Sequence, residues 1–413
     1  MMFQASVHMA TSLCHSLVRH TIMQLIILII AGLLFASYAA LIIYYYAAWR
    51  SIPETHSSTN NNSYQTLISV IIPARNEAVN IKYCLQTIIK QNYPGHLFEI
   101  LVIDDHSTDD TASIVRSFSA KNIKLISLIE YVGNDQVNSY KKKAIETGIQ
   151  QSSGKLIVTT DADCHLPPDW LGTIASFYEK FNPAFIAAPV AIDCGLRFIE
   201  IFQELDFMTL QGITGASVHK NIHSMCNGAN LAYEKTAFNE VGGFKGIDSI
   251  ASGDDMLLMH KIYERYPQRV MFLKSRDAIV QTAAQKTCKD FFNQRIRWAS
   301  KADKFDDKRI FPVLLVVYLF NVMLLALPVI GLFRNYQLTI GNCQLSIIGL
   351  WILLLLLKTT IELFFLFPVA RFFNKRSLLW LFPLMQPFHI IYTIIAGWLG
   401  KFGSYQWKER KVK

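Results

Sequence analysis

"KLIVTTDADCHLPPDW", residues 155–170, decides how the middle of this chain is read. A β-type apolar run stops abruptly at two like charges, Asp161 and Asp163. A turn between a strand and a helix is one explanation, because Asp there bonds its own nearby backbone. A seat for a hard divalent cation is the other, because paired carboxylates suit such an ion. A single DxD does not separate the two; the neighbouring segments must.

Upstream, the same plan recurs. "TLISVIIPARNEA" predicts a buried strand over 67–72 ending at Pro73, then a helix over about 76–91. "FEILVIDDHSTDDT" predicts a strand over 98–103 that runs into Asp104 and Asp105. Ser107 or Thr108, with Asp109 and Asp110, would open the next helix. "NIKLISLI" predicts a third strand, "YKKKAIETGIQQ" a helix and "KLIVTT" a fourth strand. Strands apolar on both faces, alternating with amphipathic helices, predict an α/β fold with a mostly parallel sheet covered on both sides. Ligands of such sheets sit beyond the carboxyl ends of the strands. Arg75-Asn76-Glu77, Asp104-Asp105 and Asp161-Asp163 all fall at such ends, so acids from neighbouring strands converge on one crevice. That convergence favours a site over a set of unrelated turns.

The flanks are of a different kind. The chain has 413 residues and is 52% hydrophobic, too apolar for an ordinary soluble enzyme. Residues 21–49 carry no charge; the run exceeds a signal-peptide core and lacks a clear cleavage site, which predicts an uncleaved anchor after a tail of residues 1–20. Tyr44, Tyr45, Tyr46, Trp49 and Arg50 close it as an interfacial belt. A breaker-rich linker occupies 50–65. Uncharged runs recur at 310–333 and 377–400, and between them 346–370 holds only Lys358 and Glu362, spaced to pair on one helix face. An amphipathic stretch at 291–309 precedes these runs, and a basic tail, 401–413, follows them.

The net charge of +9 comes with no nucleic-acid-binding motif. Cations beside spans are explained by topology and anionic membrane lipid, and their abundance in the middle places that part in the cytoplasm, at a cell (inner) membrane. Lys401, Lys408, Arg410, Lys411 and Lys413 oppose that scheme if all three C-terminal runs cross, so 377–400, with Pro383 and Pro387, reads either as a span or as a re-entrant segment. Seven scattered cysteines without a CxxC pair indicate neither a zinc site nor a disulfide framework. His106, His165, His219, His223 and His260 are not spaced as a ligand set.

The motifs then arrive in an order that carries a resemblance: "VIIPARNE", "VIDDHSTDDT", "TTDADC", "NGANLAY", "GGF", "SGDDMLL" and "QRIRW". Residues 66–305 resemble the family 2 glycosyltransferases, the inverting GT-A enzymes, and look most like the membrane-bound synthases of cellulose, chitin, hyaluronan and poly-N-acetylglucosamine. The resemblance implies a GT-A domain over 66–290, a metal-dependent glycosyltransferase and a nucleotide-sugar donor, UDP-linked. The acceptor would be a growing polysaccharide or a lipid-linked saccharide, with an export subunit as a possible partner. It assigns Asp163 and Asp161 to Mg²⁺ or Mn²⁺, with Asp161, Glu77, Asp104, Asp105 and Arg297 on the nucleotide sugar. Asp255 falls where the family has its catalytic base, and Asp254 where it more often has Glu. Trp298 and Gln294 of the QxxRW signature would meet the acceptor, beside a helix expected within 193–220.

Plainer readings stand beside these. Asp254 and Asp255 could cap "DDMLLMHKIYERY", and "DFFNQRIRWASK" could be an interfacial anchor. One of Lys141, Lys142 and Lys143 faces the nucleotide, or all three form a solvated face. A single addition to a lipid acceptor, or a non-catalytic sugar-binding partner on the same fold, are the alternatives to a polymerising enzyme.

Overall fold

The computed structural model describes residues 2–56, 64–132, 139–250, 253–300, 307–333, 337–340, 343–402, 405–407 and 410–412. Residues 57–63 of the expected linker, Ser252 of "SGDD", residues 301–306 of the 291–309 stretch, and Lys408 and Lys413 of the tail lie outside the described residues.

Four apolar segments become parallel strands: β1 (Ile68–Ala74), β2 (Phe98–Asp104), β3 (Ile123–Ser127) and β4 (Leu156–Thr159). With β5 (Phe185–Ala187), β7 (Leu231–Glu234) and β8 (Val270–Phe272) they form a sheet in the order β3-β2-β1-β4-β7-β5-β8. Only the pairings of β7 are antiparallel. A second, two-stranded parallel sheet joins β6 (Val190–Asp193) to β9 (Val280–Ala283). The α/β architecture expected from alternating strands and helices is the one observed.

β1 runs two residues beyond the expected end, straight through Pro73. Its pairing with β4 stops at Ile71, whereas its pairing with β2 continues to Ala74. Thr160 N–H donates to the Ile71 carbonyl and Asp105 N–H to the Ala74 carbonyl, so odd residues of β1 face β4 and even residues face β2. Pro73 therefore lacks its N–H on the side where β4 has already ended, and no ladder bond is lost.

The helix after β1 is shorter than the apolar spacing suggested. α2 covers Ile81–Ile89 and buries Ile81, Cys84, Leu85 and Ile88 on one face. Residues 76–80 are drawn instead into a laced turn. Asn76 adopts φ 52°. Thr108 N–H donates to Asn76 Oδ1 at 2.9 Å, Glu77 N–H to Thr111 Oγ1 at 2.8 Å, and Ala78 N–H to Asp109 Oδ2 at 3.0 Å. The loops after β1 and β2 thus hold one another, and the helix after β2, α3, starts only at Thr111 (Thr111–Arg116).

The remaining elements of the α/β domain are α4 (Ile129–Val132), α5 (Tyr140–Gln151), α6 (Trp170–Phe181), α7 (Phe198–His219), α8 (Lys235–Glu240), α9 (Met256–Arg265) and α10 (Cys288–Ala299). The long helices α1 (Met2–Ser51), α11 (Ile310–Phe333), α12 (Ile347–Phe372) and α13 (Phe382–Phe402) pack together: α1 meets α7, α11 and α12, and α13 meets α10 and α11. Among the described residues, four helical segments are long and apolar enough to cross a membrane: Ile22–Ser51, Ile310–Phe333, Ile347–Phe372 and Arg376–Phe402.

α7 lies between the sheet and this bundle, and its polar residues are buried rather than solvated. Gln211 Oε1 accepts from Val190 N–H at 3.0 Å, and Gln203 exchanges two 2.9 Å bonds with the Gln285 backbone. Asp206 accepts from Arg295 at 2.7 Å and from the Tyr392 hydroxyl at 2.6 Å. Buried polar groups need such partners, so these contacts fix how α10 and α13 sit on α7.

Candidate active site

The DAD motif leaves the end of β4 next to β1, whose own end lies beside that of β2. Asp161 and Asp163, the Arg75–Glu77 turn, and Asp104–Asp105 therefore share one edge of the sheet. "NGANLAY" enters β7 on the other side of β4, and "GDD" leads into α9. These segments meet at Lys141.

Lys141, on the first turn of α5, places its ammonium 2.7 Å from Asp161 Oδ1 and 3.4 Å from Asp254 Oδ2. Burial disfavours the charge, but Asp161 and Asp254 outweigh it and hold the lysine pKa above its ordinary value. Gly228 closes the cluster from the β7 side. A Cβ there would stand 3.3 Å from both Asp254 Oδ2 and Lys141 Nζ, so any larger residue would press on the ion pair. Its N–H donates to Asp255 Oδ2 at 3.2 Å. Asp255 Oδ1 accepts from Met256 N–H at 2.8 Å and so caps α9, after Gly253 turns the chain at φ 80°. Capping and a site role for Asp255 are compatible: two N–H donors orient the carboxylate and leave each oxygen a free lone pair.

Asp163 points toward the second sheet, where Thr282 Oγ1 of β9 lies 3.5 Å from its Oδ2. A single bridge between His165 and Gln281 draws the two segments together. Cys84 and Cys164 lie behind the motif. Burial, then the Asp163 and Asp161 carboxylates, push both thiols up.

Among the described residues, no three His, Cys, Asp or Glu side chains gather as a closed cage. Two carboxylates at a strand end fit a hard cation that keeps water and takes its remaining ligands from a substrate's phosphates. Mg²⁺ and Mn²⁺ match that donor set.

The residues expected to meet the nucleotide lie at the neighbouring strand ends. Asp104 ends β2 almost fully buried, with its Oδ1 lacking a hydrogen-bond partner among the described residues. Asp105 takes a 2.9 Å contact from His106 Nδ1 and lies 3.8 Å from Arg75. Glu77 accepts from Asn80 at 2.9 Å, within the laced turn.

The QxxRW residues are arranged differently. Gln294, Arg297 and Trp298 ride on α10, which Thr287 caps by accepting from Asp290 N–H. Trp298 stacks under the Arg295 guanidinium, 4.2 Å from its ring centre, and packs near Phe207 of α7. Gln294 Oε1 accepts from Arg295 at 3.3 Å. The structure thus brings Asp161, Asp254 and Asp255 together directly, and ties α10 to them through β9 and α7.

Sequence reasoning did not separate Lys141 from Lys142 and Lys143, and missed Asp206 altogether. Of the three lysines, Lys142 is buried against the carbonyls of Ile247 and Ile250, and Lys143 pairs with Glu146. The signal for Asp206 was present as an acid inside the apolar run "FIEIFQELDFM".

Comparison with known proteins places the chain in a family. Residues 156–399, more than half of the chain, match the sequence profile of glycosyl transferase family group 2, and residues 69–242 match that of glycosyl transferase family 2. The chain belongs to the family 2 glycosyl transferases. Within that family it is 27% identical over 318 residues to the probable glycosyltransferase YdaM of Bacillus subtilis, covering 71% of this chain and 72% of that protein. It is 43% identical over 104 residues to the glycosyltransferase AglE of Haloferax volcanii, but this is 25% of the chain and only 33% of AglE. A solved structure, the mannosyltransferase PcManGT from Pyrobaculum calidifontis in complex with GDP-Man and Mn²⁺, shares the fold at a TM-score of 0.56 and 20% identity, over 91% of this chain and 98% of that one. The family 2 domain here is therefore a GT-A-like α/β fold.

Proposed function

We propose that this protein is a membrane-bound, metal-dependent inverting glycosyltransferase that uses a nucleotide sugar, UDP-linked, as donor. The observation that carries the reading is the Lys141 bridge, which draws Asp161 of the DAD motif and Asp254 beside Asp255 into one cluster. Donor-side and base-side acids then face the same space. The acceptor is a growing polysaccharide or a lipid-linked saccharide, as in the polymer synthases that the QxxRW segment resembles.

In the reaction, the acceptor hydroxyl oxygen attacks C1 of the donor sugar while the bond from C1 to the diphosphate oxygen breaks. The hydroxyl proton passes to the Asp255 carboxylate, which the Gly228 and Met256 N–H groups hold in place. One displacement inverts C1 and needs no covalent intermediate. Asp163 and Asp161 would hold Mg²⁺ or Mn²⁺, which when bound neutralises the departing diphosphate. Lys141, held between Asp161 and Asp254, would offer its charge to the phosphates. Glu77, Asp104 and Asp105 hold the nucleoside at the ends of β1 and β2. Arg297 offers a planar cation to the diphosphate, while Trp298 and Gln294 line the acceptor path.

The test is UDP release by the full-length protein in its native membranes, across a panel of UDP-sugars with Mg²⁺ or Mn²⁺. Turnover with one sugar, abolished by chelation and by Asp163→Asn, is the expected result. Turnover that survives both would remove the metal and the DAD motif from the chemistry.

A further inference from the structure

A second charged region lies at the β8 edge of the sheet, where α1 and α12 end. A groove of about 550 Å³ opens there. One wall is aromatic: Phe364 and Phe367 are more than half exposed on α12, beside Pro368. The other wall is cationic: Arg50, Lys274, Arg276 and Arg371, with Glu54 as the single acid in the lining.

The charge balance favours an anion. Two helix C-termini, those of α1 and α12, converge on the groove and contribute roughly half a negative charge each. Four cations against Glu54 and these two ends leave roughly +2. Part of this is already used. The Lys274 ammonium lies 3.2 Å from the Trp49 carbonyl and 3.4 Å from that of Ile52, capping α1, and 3.9 Å from Glu54. Arg276 donates to the Arg371 carbonyl at 3.0 Å. Among the described residues, the Arg371 guanidinium itself has no hydrogen bond or ion pair.

The geometry points to a binding site for an anionic phospholipid, its phosphate between Arg276 and Arg371 and an acyl chain along Phe364 and Phe367. The inference rests on the membrane-bound reading of α1 and α12, whose apolar lengths end at this groove. A basic pocket between spanning helices on the cytoplasmic side is the arrangement that holds lipid headgroups. The lipid proposed here is distinct from the acceptor: β7 and β5 separate β8 from β4, which puts β8 three strand spacings, roughly 14 Å, from the DAD strand. Arg50 and Arg371 belong to the spans, and Lys274 and Arg276 to the catalytic domain, so one bound lipid fastens the two together.

The test reconstitutes the full-length protein in nanodiscs of phosphatidylglycerol and phosphatidylcholine and counts retained lipids by native mass spectrometry. Enrichment of phosphatidylglycerol is expected, falling roughly fivefold for each arginine removed in Arg371→Gln and in Arg276→Gln/Arg371→Gln, but not in Lys82→Gln on α2. Equal retention of the two lipids, or unchanged enrichment in the Arg371→Gln protein, overturns the site. Displacement of the lipid by soluble glycerol phosphate overturns the lipid as occupant and leaves a free-phosphate site. Release of the protein from membranes by alkaline carbonate, without detergent, would instead defeat the membrane-bound reading, and is scored separately.

Discussion

Two lysine–carboxylate pairs in this molecule have the same 2.7 Å separation and opposite characters. Lys141–Asp161 sits in the crevice, with 21% and 35% of the side chains exposed; Lys358–Glu362 sits among the apolar helices at 0% and 8%. Around Lys358 the shell is closed. Gln386 of α13 accepts from Lys358 at 2.6 Å and donates to Glu362 at 2.6 Å, and the Tyr38 hydroxyl of α1 donates to the same carboxylate. Around Lys141 the second partner, Asp254, stands off at 3.4 Å and water has access. In low dielectric a pair is strong only while complete, and breaking it strands a charge. Near water the same pair is weak and can exchange partners. The buried pair fastens three helices; the open pair can exchange partners, as the proposed metal and diphosphate binding requires.

The largest effect is expected beside the open pair. Asp255→Asn keeps the α9 cap but removes the base, so turnover should fall about 10²- to 10⁴-fold with unfolding little changed. UDP-release rates check this, and an equally active variant would place the base elsewhere. Next comes the closed pair. Lys358→Met should cost about 3–5 kcal/mol by leaving Glu362 uncompensated, and Lys358→Met/Glu362→Leu should recover most of it. Unfolding in detergent that fails to recover in the double variant would show the ring is more than a pair.

A third polar cluster sits between these extremes. Burial pushes His223 down to about 4, against the Tyr45 and Ser217 hydroxyls at 3.0 and 3.1 Å. The unfolded state then binds the proton more readily, so stability should fall as pH drops from about 6.5 towards 4, by about 3 kcal/mol at most. His223→Gln should flatten that slope in a pH series of melting curves. Smallest is the effect on folding of Lys141→Met, under about 1 kcal/mol for a partly exposed pair. Its donor KM should nevertheless rise about tenfold, the equivalent of one lost charge contact. A large loss of stability with unchanged KM would make Lys141 a structural residue.

How much of this was legible beforehand follows the range of the interactions involved. Lys358 and Glu362 are one helical turn apart, so their spacing alone predicted the pair; Tyr38 and Gln386 come from other helices, and no local pattern announces them. The ends of β1, β2 and β4 were legible as one crevice because parallel strands align their termini. Which lysine of Lys141, Lys142 and Lys143 enters it depends on the rotation of α5 against the sheet, about 100° per residue, and that is set by packing. Asn76 and Pro73 misled for a similar reason: a loop from β2 holds the first, and the early end of β4 excuses the second.

Recombining this chain with a relative must respect the ladder from β6 to β9. Val190–Asp193 pairs residue for residue with Val280–Ala283, and Gln281 also bridges to His165 just after the DAD motif. A crossover between residues 193 and 280 would join half-ladders from two parents and loosen Asp163 and α10 at once. Chimeras that exchange residues 161–299 as one block keep both halves from a single ancestor, and are the ones to build when trading donor preference between relatives.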